Sequence, residues 1–89
     1  MIGFTWDLLK ELANIRKHGV DFTTASKAFF DPKRKIYTDA KHSREEERSF
    51  CMGKIDGRIL TVRFVYRGKR IRIIGAGYWR KGRKYYEKD

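Results

Sequence analysis

The chain contains one cysteine, one proline and two histidines in 89 residues, and each scarcity removes a class of answer. A lone Cys51 cannot close an internal disulfide, and no Cys and His pairing has the spacing of a zinc site. The expectations are therefore no metal, no cofactor and a reducing, cytoplasmic setting. Long apolar runs are missing too. The opening MIGFTWDLLKELANIRKHG sets Asp7 and Glu11 among its apolar residues, which argues against both a membrane span and a signal peptide; no membrane partner is expected. Acidic residues are half as frequent as basic ones, 11 against 22, leaving a formal charge of +11. The shortage is local. Residues 1–56 hold 11 basic and 9 acidic groups (+2), whereas residues 57–89 hold 11 basic and 2 acidic (+9). A positive field confined to the C-terminal part points to a polyanionic partner such as nucleic acid. A chain this short is read as one domain, residues 1–89, with a small core.

What is present is concentrated between Arg58 and Lys84, RILTVRFVYRGKRIRIIGAGYWRKGRK. Two strand-like runs flank Gly68-Lys69. Strand side chains alternate between faces, so a hairpin there pairs Tyr66 with Ile71, Phe64 with Ile73 and Val62 with Gly75 on an apolar face. The other face receives Thr61, Arg63, Val65 and Arg67 beside Arg70, Arg72, Ile74 and Ala76. A slip of one residue would drive the guanidinium groups into the core, so the apolar pattern selects this register.

Before that stretch, residues 2–6 read as an edge strand or extended lead. Leu8, Leu12 and Ile15 recur at helical spacing, with Asp7 as N-cap and Gly19 as the left-handed stop. Asp21 caps a second helix with Phe22, Ala25 and Phe29 on one face, ended at Asp31-Pro32. Arg34–Thr38 reads as a strand, Asp39–Arg44 as a polar loop and Glu46–Ile55 as the next strand. Asp56-Gly57 is a strong hairpin signal. Pairing outward from it sets Arg58 opposite Ile55, Val62 opposite Cys51, Arg63 opposite Phe50 and Val65 opposite Arg48. Cys51 is then a buried structural thiol.

Combining the hairpins places Arg48, Val65 and Arg72 in one row across three antiparallel strands, with Arg63 two residues along on the same face. Adjacent like charges on a sheet call for an anion among them, or for neutralisation by Glu46, Glu47 or Glu87. The tail adds Tyr78, Trp79, Tyr85 and Tyr86 interleaved with Arg80, Lys81, Arg83 and Lys84. Cations that follow phosphates and aromatics that stack on bases suit single-stranded nucleic acid. Residues expected to bind it are Arg67, Arg70, Tyr78, Trp79, Lys81, Arg83 and Lys84. Gly82 weakens the case for a C-terminal helix, with Trp79 expected mostly in the core.

A longer pattern runs through the whole chain. Phe4-x-Trp6-Asp7, Asn14-x-x-Lys17-His18-Gly19-Val20-x-Phe22-x-x-Ala25, Phe30-Asp31-Pro32, Asp39 with His42-Ser43, Glu47-Arg48 and Arg72-Ile73-Ile74-x-Ala76 together resemble the BrnT toxins. The resemblance implies a small α+β fold similar to the RelE toxins: two N-terminal helices packed on an antiparallel sheet of about four strands, with a short basic C-terminal helix or tail. It implies a ribonuclease of the mRNA interferase type that halts translation, acting on RNA either free or on the ribosome. It also implies a BrnA-type antitoxin that carries the DNA-binding part, so that DNA is met only through that partner. One departure stands out. Where many members read SAR after RII, this chain has Gly75-Ala76-Gly77, so the arginine is absent and either Arg80 substitutes from the tail or activity is weakened.

Metal-independent cleavage needs the 2′-hydroxyl deprotonated, the charged phosphorane stabilised and the leaving oxygen protonated. Arg48, Arg63 and Arg72 are expected to hold the phosphate, with Arg80 or Lys81 closing over it. His42 and Tyr86 are the candidate proton carriers; Glu47 falls on the opposite face, and His18 reads as a structural residue at a helix end. The competing readings are a non-catalytic RNA- or ribosome-binding module, and a degenerate toxin acting only as an antitoxin-binding subunit.

Overall fold

A computed structural model describes residues 3–42 and 46–88. Five strands form one mixed sheet: β1 (Gly3–Trp6), β2 (Lys35–Asp39), β3 (Arg48–Ile55), β4 (Arg58–Arg67) and β5 (Arg70–Gly77), in the order β1-β5-β4-β3-β2. All neighbours are antiparallel except β1, which runs parallel to β5 with Phe4 beside Ile71 and Trp6 beside Ile73. The architecture is α+β. The expected sheet of about four antiparallel strands is corrected to five, because the apolar lead segment finds the free edge of β5.

The helix boundaries follow from local chemistry. Helix α1 (Leu8–His18) starts where the Asp7 carboxylate accepts from the amides of Leu9 and Lys10, and stops at Gly19 with φ 69°. Helix α2 (Phe22–Ser26) is capped by Asp21, whose carboxyl is held below its usual range by hydrogen bonds from Thr24. A 3-10 turn over Lys27–Phe30 carries the chain to the Asp31-Pro32 corner. The turn of β3 and β4 has positive φ at both Asp56 (50°) and Gly57 (82°), as a two-residue hairpin requires.

One sheet face meets α2 and the 3-10 turn. Phe22, Ala25, Ala28 and Phe29 pack there on Cys51, Leu60, Val62, Phe64, Ile71, Ile73 and Ala76, with the Phe29 and Phe64 rings 5.0 Å apart and edge-on. Each large side chain fully buried here contributes about 1.5–3 kcal/mol. Cys51 lies wholly inside, and burial pushes its thiol up to about 12; it is a small core residue.

The pairing of β3 with β4 is the expected one at every position named above. That of β4 with β5 holds at Tyr66 with Ile71 and Phe64 with Ile73, then breaks. A bulge makes Arg63 face Gly75 and Val62 face Ala76. Ala76, expected beside the arginines, therefore belongs to the core, and Gly75 lies opposite Arg63. Strict alternation fails because one extra β5 residue is accommodated at Ile74.

The largest departure is in α1. An apolar stripe on a helix packed on a sheet ordinarily faces the core, yet Leu8, Leu9, Leu12 and Ile15 all face outward, and Asn14 is the helix's buried residue. The cause is a polar clamp: Asn14 Nδ2 donates to the carbonyls of Val20 and Ala76, each at 2.9 Å, and its Oδ1 accepts from the Ala76 amide at 3.1 Å. Glu11 adds a second tie, accepting from Trp6 Nε1 and from the Phe22 amide.

The second sheet face is partly roofed by α3 (Arg80–Glu87). Gly82, which weakens the helix in isolation, is what lets α3 sit close: a Cβ there would overlap the Thr61 hydroxyl. The far end of α3 is latched, since the Tyr86 hydroxyl donates to Asp31, which also accepts from the amides of Lys33 and Lys54.

Candidate nucleic-acid interface

The register puts Arg48, Val65 and Arg72 in one row of the second face, with Arg63 nearby on β4. What alternation alone does not reveal is the wall beside them. Because Asn14 clamps α1 to Ala76, the polar side of that helix turns toward these arginines. Lys10, Ala13, Asn14, Lys17 and His18 from α1 meet Arg48, Arg63 and Ile74 from the sheet around a cleft of about 290 Å3. Among the described residues, four of its lining side chains are cationic, one is an imidazole and none is an acid, while Asp39 faces Arg48 across the pairing of β2 with β3. Like charges so arranged repel one another, and an anion in the cleft relieves that repulsion.

Trp79 closes one end. Its indole stands edge-on to the His18 ring at 5.2 Å, and the Arg63 guanidinium lies 5.7 Å from its centroid. Small residues make room for this: a Cβ at residue 75 would come 2.8 Å from the Arg63 guanidinium, and one at residue 77 would come 2.5 Å from the Trp79 ring. The GAG sequence and Trp79 are therefore one device, with the indole filling the volume that a side chain on residue 77 would take.

On the other side of Trp79 lies an apolar cavity of about 450 Å3 between β2, β3, β4 and α3, walled by the rings of Tyr37, Phe50, Trp79 and Tyr85 and rimmed by Lys81. Thr61 lines it with a buried hydroxyl that lacks a hydrogen-bond partner. Phe50 is the cross-strand neighbour of Arg63, so cavity and cleft are one residue pair apart.

The other residues singled out from the sequence are distributed as follows. Arg72 lies in the row, where its charge and that of Arg48 reach Glu46. Glu46 itself is tied to Arg67, with Oε1 accepting from Nη2 at 3.0 Å, and this hydrogen bond, ahead of the charges of Arg67, Arg48 and Arg72, holds its carboxyl below the usual range. Arg70 is exposed at the start of β5. Tyr78 is covered by the Arg58 guanidinium at 3.7 Å. Arg80 and Arg83 line a separate depression with Lys54, Arg58 and Glu87, while Lys84 is exposed on α3. Tyr86 is turned to Asp31, and that hydrogen bond raises its hydroxyl from 10.0 to about 12. His42 lies in the 3-10 turn after β2, with its side chain outside the described residues.

Residue-by-residue reading missed His18, Lys10 and Lys17 as cleft residues and Asn14 as the group that places them. The available signal was Asn14 itself, a polar residue in the middle of a short helix.

A small α+β domain with a cationic cleft beside an aromatic cavity has the makings of an RNA-handling protein. The family comparison agrees: the model of the BrnT ribonuclease toxin of type II toxin-antitoxin systems matches residues 6–82, and the chain belongs to that family. No curated protein matches the chain. No helix among the described residues is long and apolar enough to cross a membrane.

Proposed function

We propose that this toxin cleaves single-stranded RNA without a metal, with the scissile phosphate in the cleft between α1 and the sheet. The observation that carries the reading is the meeting of Lys10, Lys17, Arg48 and Arg63 around His18 in one cleft. In the reaction the 2′-oxygen attacks phosphorus, the bond to the 5′-oxygen breaks, and a 2′,3′-cyclic phosphate and a 5′-hydroxyl result. Arg48 and Arg63 stabilise the charge that accumulates on the phosphoryl oxygens, with Arg72 next in the row. His18 is the nearest group suited to carry the proton between the two oxygens, which makes it a better candidate than Tyr86, whose hydroxyl is engaged by Asp31.

The base next to the scissile phosphate enters the cavity of Tyr37, Phe50, Trp79 and Tyr85, where flat apolar walls favour stacking over sequence-specific pairing. The fold's likeness to RelE toxins, the arrest of translation through messenger RNA, the cytoplasmic setting and neutralisation by a BrnA-type antitoxin complete this reading.

The deciding experiment incubates the purified, antitoxin-free protein with defined single-stranded RNA in EDTA, beside Arg63→Ala and His18→Gln. The parent is expected to leave 2′,3′-cyclic phosphate ends, and Arg63→Ala to cut on the order of a hundredfold more slowly. Equal cleavage by parent and Arg63→Ala would remove the cleft from the mechanism. RNA bound but uncut by the parent would favour the non-catalytic module.

A further inference from the structure

We infer that the outward stripe of α1 is the anchor surface for the antitoxin, distinct from the RNA cleft; the inference rests on the toxin-antitoxin reading above. Leu8, Leu9, Leu12 and Ile15 are 64, 75, 54 and 40% exposed. Their spacing gathers them on one side of the helix, so they form a contiguous aliphatic surface and not scattered contacts. Single exposed leucines need no explanation, whereas a contiguous stripe does.

The orientation is built in. A rotation of α1 that buried the stripe would break the three hydrogen bonds of Asn14 and the two of Glu11. It would also withdraw Lys10, Lys17 and His18 from the cleft. One helix thus serves two surfaces, with its polar side completing the cleft and its apolar side left for something else.

The occupant is argued by elimination and by charge. RNA offers no apolar edge to match four aliphatic side chains. A second copy brings another +11 of charge and, in a twofold pairing of the stripe, a second Arg16 into the same small apolar interface, because Arg16 projects between Leu9 and Leu12 on the helical wheel. The remaining partner is the second protein of the pair that defines this family. Its fitting chemistry is an amphipathic segment whose apolar side chains cover Leu8, Leu9, Leu12 and Ile15, with an Asp or Glu at Arg16. Since the stripe and the cleft lie on different sides of α1, anchoring and inhibition are separable: a chain with a disabled cleft still binds the antitoxin.

The test compares the parent with Leu9→Glu/Leu12→Glu and, separately, with Arg16→Glu. Affinity for the antitoxin encoded beside the toxin is measured by calorimetry, together with melting temperature and RNA cleavage. The double variant is expected to bind roughly a hundredfold more weakly and Arg16→Glu about tenfold more weakly, both with melting temperature and cleavage unchanged. Unchanged affinity in both variants overturns the inference. So does a parent that scatters light as a dimer and variants that do so as monomers, which would give the stripe to a second copy, or a parent whose vesicle binding is lost in the variants, which would give it to a membrane. Because cleavage is read in the same samples, a parent that fails to cut while the stripe variants lose the antitoxin leaves this surface standing and removes the ribonuclease mechanism instead.

Discussion

The two faces of the sheet are built from the same strands by opposite rules. On the core face Phe64, Val62, Ile73 and Cys51 are wholly buried under α2 and the 3-10 turn, in an apolar cluster beside the buried Ser49. On the other face Arg63, one residue from Phe64, is exposed beside Trp79. The first face is held by packing. The second is arranged, by a bulge, two glycines and a clamped helix, to keep positive groups together against their own repulsion. Core packing and exposed charge therefore divide between adjacent residues of one strand, a division that substitution can test.

The largest effect is expected at Phe64. Phe64→Ala removes a ring packed between Phe29 and Tyr66 and should cost about 3–5 kcal/mol in urea unfolding, a large part of the stability of so small a domain. Arg63→Ala should shift the same curve by less than about 0.5 kcal/mol. Comparable losses at both positions would erase the distinction between the faces.

Next comes residue 77. Gly77→Arg puts a side chain where the Trp79 indole lies. It should destabilise by about 1–3 kcal/mol. Trp79→Ala in the same chain should recover much of that loss, as a double-mutant cycle by thermal unfolding will show. Additive losses would mean that the two positions do not share one volume.

The latch of α3 gives a smaller and pH-dependent effect. Tyr86 is raised from 10.0 to about 12 by its hydrogen bond to Asp31. The folded state thus holds this proton more tightly, and the contribution is complete below pH 10 and lost as pH rises toward about 12. Asp31 has the opposite sign. Burial works against its ionised form, but hydrogen bonds from Tyr86 and from the Lys54 and Lys33 amides outweigh it and hold the carboxyl below 3.8, so its contribution is lost as pH falls through that range. Tyr86→Phe should lower stability by about 1 kcal/mol at neutral pH and flatten the alkaline limb of a pH series. An unchanged alkaline limb would show that the latch is not closed in solution.

The smallest change is expected on α1. Leu12→Ser should alter stability by no more than about 0.5 kcal/mol, against about 2–5 kcal/mol for Leu60→Ala in the core. A large loss at Leu12 would mean that the stripe is covered within the protein itself.

Much of this comparison was legible before any coordinates. The DG turn and the alternation of apolar residues fix the β3 and β4 register to the residue, and they place Arg48 level with Val65 and Arg72. Asp7 and Gly19 bound α1 as their cap chemistry dictates. Three things were not legible. The bulge at Ile74 depends on Ala76 being drawn into the core and held by Asn14, a contact across 62 positions. The facing of α1 runs against its apolar pattern, because the specific hydrogen bonds of Asn14 and Glu11 outweigh the burial of a stripe that the described residues leave exposed. The cleft needs His18 and Lys17 from one end of the sequence beside Arg48 and Arg63 from the middle, and strand alternation cannot bring a helix to a strand.

The parallel pairing of β1 with β5 bears on how the molecule is made. Among the described residues, residues 3–6 pair with residues 70–73 alone, and the tie of α1 to the sheet through Asn14 cannot form until Ala76 has appeared. Pairings so distant in sequence form late in folding. During synthesis from the N-terminus the hairpin of β3 and β4 is available early, whereas the wall of the cleft is not. The ribosome therefore carries a chain without its cleft until β5 has cleared the exit.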